Sequence, residues 1–268
     1  MISIITIILF IAYILGLGFS VMYFVPKPQN VVERFLVYLM IGLGVLPLLL
    51  VAINFIRISL DWKIISLFCF AVPLYVFGRS VVAKKISFPS LEFKLTKSSL
   101  IYAGLLIIFV FVFIMYAKGA FGYPYLEDED PWGHAVGAKY VALEKNAYDP
   151  FVREGVVDSV LSYIDPYPPA YDALIGILHQ TSPDLNWTLK FFNVFIISLG
   201  LLFFFLLVSE LTGNMTKALV ATSILAMIPA YLSHFIWAHS LVVTLFFGVM
   251  YGIWKIKEHN SWIYVTML

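Results

Sequence analysis

Charge is scarce in this sequence and cysteine is almost absent. Only 12% of the residues are charged, against 62% hydrophobic, whereas a soluble domain carries about 25% charged residues. That balance excludes an ordinary water-soluble globule and is the composition of an integral membrane protein. The single cysteine, Cys69, lies inside an apolar segment, so neither an internal disulfide nor a thiolate metal cluster can form. There is no basic run and no RNA-type aromatic motif, and the net charge is only +1, so nothing points to nucleic acid as a partner. The N-terminus lacks a basic n-region and a small-residue cleavage site. Its apolar run also exceeds the roughly 7–15 residues of a signal peptide, so it reads as a retained span. The apolar runs hold almost no ionisable groups, which counts against a transporter.

What the sequence does have is long apolar segments. About 20 apolar residues cross a bilayer as a helix. By that measure the spans are 2–25, 35–56, 62–82, 99–117, 189–209, 216–233 and 238–254, and the closing "SWIYVTML" reads as the start of another. The expectation is an all-α polytopic membrane protein with about seven transmembrane helices, truncated at its C-terminus. Residues 1–98 would hold three spans and a cytoplasmic connection, and 99–268 the remaining core.

Basic residues gather on the cytoplasmic side. Lys27 and Arg34, Lys84, Lys85, Lys94 and Lys97, Lys217, and Lys255 and Lys257 all fall on one side of this alternation. The N-terminus and residues 118–188 then lie outside, as expected for the plasma membrane of a prokaryote. Arg57 and Lys63 are the exceptions.

The outer loop 118–188 holds 11 of the 16 acidic residues, against Lys118, Lys139, Lys145 and Arg153. Structureless loops of this length are uncommon and usually functional. In "EDEDPWGHAVGAKYVALEKN", Asp130 reads as the N-cap and Pro131 as the first helical residue, with Trp132, Val136, Tyr140 and Leu143 on one apolar face. In "DPYPPAYDALIGILHQ", prolines precede a face of Tyr171, Leu174, Ile175 and Leu178. Both read as interfacial amphipathic helices. Arg79 and Asn54 read most simply as interfacial residues, Asn193 as a residue able to hydrogen-bond across helices, and "NWT" at Asn186 as an outward N-glycosylation pattern.

Four consecutive carboxylates, Glu127 to Asp130, admit several readings. They can cap a helix and favour its positive end, or form a solvated face, or reflect the tolerance of outer loops for acid. They can also accept a proton or hold a hard cation such as Mg²⁺ or Mn²⁺. His134 is one turn beyond Asp130.

The string "EDEDPWGHAVGAKYVA" resembles the first acidic motif of membrane-embedded GT-C glycosyltransferases, and of the oligosaccharyltransferase catalytic subunit in particular. "KALVATSILAMIPAYLSHFIWAHS" is similar to that family's span leading into an Ile-Pro-x-Tyr-x-Ser segment, and "YPPAYDAL" to the Tyr-Pro opening of its second loop helix. The resemblance implies transfer of a sugar from a polyprenyl-phosphate donor to a glycan or protein acceptor at the outer face. It implies Asp130 as general base or divalent-metal ligand, supported by Glu129 and His134. Donor or acceptor contacts would come from Asp128, Tyr167, His239 and Arg153. The chain departs from oligosaccharyltransferases in having no carboxylate from Ser233 to Phe247 and three spans ahead of the core. A true oligosaccharyltransferase subunit and a non-catalytic membrane scaffold are the alternatives.

Overall fold

The computed structural model describes residues 3–28, 30–83, 96–147, 169–228, 231 and 236–268. Among these residues every regular element is a helix. In chain order they are α1 (Ile4–Met22), α2 (Val31–Phe55), α3 (Trp62–Val82), α4 (Lys97–Ala120), α5 (Glu129–Glu144), α6 (Pro169–His179), α7 (Leu185–Thr212), α8 (Met215–Leu225), α9 (Ala238–Lys255) and α10 (Trp262–Met267). Polar side chains set several starts. Asn30 accepts from the Val32 and Glu33 amides, Thr96 and Ser99 form a reciprocal capping box on α4, and Asp184 accepts from the Trp187 amide. Gly213, in the left-handed region at φ 60°, ends α7.

Six of the described helices are long and apolar enough to cross a bilayer: α1, α2, α3, α4, α7 and α9. The expected span at 216–233 appears as α8, which has only 11 residues. Its helix stops at Leu225 and gives way to turns through Ile228. Residues 229–230 and 232–235 lie outside the described residues.

α7 is the central post and is buried along most of its length. α1 and α2 pack closely enough to need glycine at their crossing. A Cβ on Gly42 would lie 1.7 Å from the Ile14 carbonyl oxygen, and one on Gly18 would lie 1.9 Å from that of Tyr38. Without a hydrophobic drive between helices in lipid, such small-residue contacts allow the backbone approach that van der Waals packing requires. By contrast, α3 and α4 expose Leu67, Leu74 and Phe77, and Leu106, Ile107, Phe111 and Ile114. A bilayer covers such faces.

Contacts at the two ends group the connections as an alternating chain must. At one end Thr181 accepts from Ser3 and bonds to Thr6, and Gln180 bridges the Leu60 carbonyl and the Trp62 amide. At the other end Tyr251 donates to Glu33, and Lys255 pairs with Glu210 and Glu258. α5 and α6 belong to the first end, hereafter the loop end. The turn before α3 grips both of them. Asp61 pairs with Lys145, the Leu60 amide donates to the Lys145 carbonyl (2.8 Å), and Asn54 accepts from the Ala147 amide (2.7 Å).

α6 departs from the expectation of a surface helix. Every residue from Tyr171 to Leu178 is buried. The periodicity of its leucines and isoleucines marks one apolar face, but α1, α2, α5 and α7 surround it and close the others. α5 also turns differently from expectation. Trp132 and Leu143 are exposed, and the helix packs through Pro131, His134, Ala138 and Val141.

Candidate functional site

The acidic run forms the start of α5. The N-cap is Asp128, whose carboxylate accepts from the Glu129 amide at 2.8 Å, rather than Asp130. Pro131 therefore occupies the third helical position. It is still in the first turn, where a missing N–H leaves no bond unmade. Glu129 and Asp130 both stand in that turn, where the positive end of the helix favours negative charge.

Glu127, Asp128 and Glu129 are exposed and, with Trp132, Gly133 and Val136, line an open pocket of about 500 Å³. Asp130 is half-buried and does not line it. One turn before His134, it lies on the inward side of α5.

Behind the pocket is a buried polar cluster. Nδ1 of His134 lies 2.7 Å from Oδ1 of Asp172 on α6, and both side chains are about 95% or more enclosed. Nε2 of His134 accepts from the Ala238 amide, at 3.4 Å, in the first turn of α9. With Nε2 accepting, the ring proton is on Nδ1 and is donated to Asp172. Space for that carboxyl comes from Gly137, since a Cβ there would lie 2.2 Å from Oδ2. Burial pushes the Asp172 carboxyl up from its usual value, while the His134 hydrogen bond pulls it down. The Tyr171 ring meets the imidazole edge-on at 4.9 Å between centroids. Its hydroxyl donates to Asn193 on α7, which also accepts from Ser240 on α9. Four helices thus converge through five polar side chains.

A second tie holds the pocket's approach to α7. Lys190 is buried, its ammonium donates to the Tyr123 carbonyl at 2.5 Å, and the Phe121 ring lies 5.9 Å away. Asn186 donates its amide to the Pro124 carbonyl at 2.8 Å. The amide of the "NWT" pattern is therefore already tied to the protein's own backbone by an exposed hydrogen bond.

The residues singled out from sequence fall in different places. Asp128 and Glu129 reach the pocket, Asp130 sits at its inward shoulder, and His134 lies in the interior. His239 is exposed, its ring 5.3 Å from that of Trp237. Tyr167 and Arg153 lie outside the described residues, as does His234. Among the described residues, no group of three or more His, Cys, Asp or Glu side chains is placed to hold a metal ion. Asn54, read as interfacial, is a buried hydrogen-bonding residue instead, and Asn193 accepts hydrogen bonds across helices from Ser240 and Tyr171. Asp172 was missed as a site residue. Its signal was available: a single carboxylate in the run "YDALIGIL", where a helix otherwise carries only apolar side chains.

The fold and this arrangement define an all-helical, polytopic integral membrane protein with a polar site at one end of the bundle. Compared with protein-family models, curated proteins and solved structures, the chain matches none.

Proposed function

We propose that the chain is a membrane glycosyltransferase of the GT-C kind, or part of one. In this reading it moves a sugar from a polyprenyl-phosphate donor to a glycan or protein acceptor, with Asp130 as the base. The pocket at the head of α5 carries the reading: about 500 Å³, walled by Glu127, Asp128, Glu129 and Trp132. A cavity of this size accommodates a small organic ligand. Carboxylates accept hydrogen bonds from sugar hydroxyls, and an indole face takes the apolar side of a pyranose. Asp130 follows the pocket-lining Glu129 in the chain and is only half-buried, and in this reading it accepts the proton of an acceptor hydroxyl. The largely unpacked apolar faces of α3 and α4 suit contact with lipid, the phase that holds an isoprenoid-linked donor. The bias of basic residues toward the opposite end supports reading the loop end as the outer one.

The base role is preferred over the metal role because the stretch from Ser233 to Phe247 supplies no second carboxylate. The test is sugar transfer by the full chain in lipid discs, from a labelled polyprenyl-phosphate sugar. Asp130→Asn should lower the rate about 10²–10⁴-fold. Adding Mg²⁺, Mn²⁺ or a chelator to the same assay separates a base from a metal ligand. An undiminished rate in Asp130→Asn removes the assignment.

A further inference from the structure

The start of α9 lacks a cap of its own. Trp237 occupies the N-cap position and provides no side-chain hydrogen bond, although a helix start leaves four amides to be satisfied. One of them, that of Ala238, is met by a residue 104 positions earlier in the chain, His134 of α5. The imidazole is positioned for this from behind by Asp172, and Asp172 fits only because residue 137 is glycine. Three helices, α5, α6 and α9, are joined through one ring.

We propose that His134 is a pH-dependent positioning residue, whose unprotonated imidazole, held by Asp172, fastens the start of α9 to the acidic first turns of α5. Protonation places a hydrogen on Nε2. A donor then faces the Ala238 amide, itself a donor, at the positive end of a helix. That contact cannot survive, whereas the Nδ1 hydrogen bond to Asp172 remains in both states. The change therefore falls on the α5–α9 joint and leaves α5–α6 intact. Among the described residues, the titratable groups on the parts of the surrounding elements that face this joint are Asp130 on α5, Tyr171 and Asp172 on α6, Lys190 on α7 and His239 on α9. Asp172 accepts from Nδ1 on the side of the ring away from α9, and Asp130 stands one turn earlier on α5. Tyr171 is neutral, its hydroxyl turned toward Asn193. The Lys190 ammonium is committed to the Tyr123 carbonyl, and His239 is exposed against Trp237. Release of the joint loosens the start of α9 from α5, while Ser240 still holds that turn to Asn193 of α7. The device stands whether or not the chain transfers a sugar.

Hydrogen–deuterium exchange of the full chain in lipid discs tests it, read at the amides of residues 237–241 and corrected for intrinsic exchange. The scan covers about pH 5 to 8, where imidazoles change charge. In the wild type, protection of the Ala238 amide should fall about fivefold on acidification, the typical cost of losing one helix cap. His134→Gln keeps an accepting oxygen but cannot titrate, so its protection should not vary with pH. A pH-independent wild type, or the same acid-induced loss in His134→Gln, overturns the proposal. If His134→Gln does not fold, Asp172→Asn decides. Loss of the carboxylate should move the transition to lower pH, and an unmoved transition overturns the proposal equally.

Discussion

Replacing Asp172 separates its role as an acceptor from its role as a charge. Asp172→Ala leaves the Nδ1–H of His134 without its acceptor in a site where the imidazole is only 3% exposed. An unsatisfied buried donor costs about 1–3 kcal/mol. Taking about 2 kcal/mol, and about 2–4 °C of melting temperature per kcal/mol for a chain of this size, the variant should melt about 4–8 °C lower. Asp172→Asn keeps an accepting oxygen at the same place and removes the charge, so it should stay within about 1 kcal/mol of wild type. The pH dependence follows from burial, which holds the Asp172 carboxyl above its ordinary 3.8 in the folded chain. A group raised in this way contributes most stability below 3.8 and loses that contribution as the pH rises through its folded value. Wild type should therefore lose stability relative to Asp172→Asn across that window. The assay is thermal unfolding of the purified full chain in detergent, at a series of pH values. The reasoning is refuted if alanine and asparagine are equivalent, or if wild type gains on Asp172→Asn as the pH rises.

Two glycine substitutions test the packing by the same unfolding measurement. Gly137→Ala places a methyl 2.2 Å from Oδ2 of Asp172 and must displace the carboxyl from His134; a loss of about 1–3 kcal/mol is expected. Gly42→Ala meets the backbone carbonyl of Ile14 at 1.7 Å, and this cannot swing aside as a side chain can. It should cost at least about 3 kcal/mol by forcing α1 and α2 apart, while Gly78→Ala, with nothing within 4 Å, should stay within about 0.5 kcal/mol.

The sequence by itself determined the membrane class, the alternating order of the long helices and the helix that begins at the acidic run. These rest on composition, apolar length and local capping, all of which are written in contiguous residues. Boundaries followed closely where a polar cap stands beside an apolar run, as at Asp61 before Trp62. They slipped where several caps compete, so α5 starts from Asp128 and not from Asp130. The length of α8 was misjudged because apolar residues continue past Leu225 while the helix does not. Only the tertiary structure decided which face of α5 is inward, and it chose the small residues over the tryptophan and leucine. Close packing against α6 rewards Gly137 and Ala138 for what they lack, and hydropathy does not register that. The pairing of His134 with Asp172 is of the same kind. The two lie 38 residues apart on separate helices. Periodicity describes one helix at a time, and the burial that makes this pair consequential exists only once α6 is enclosed by its neighbours.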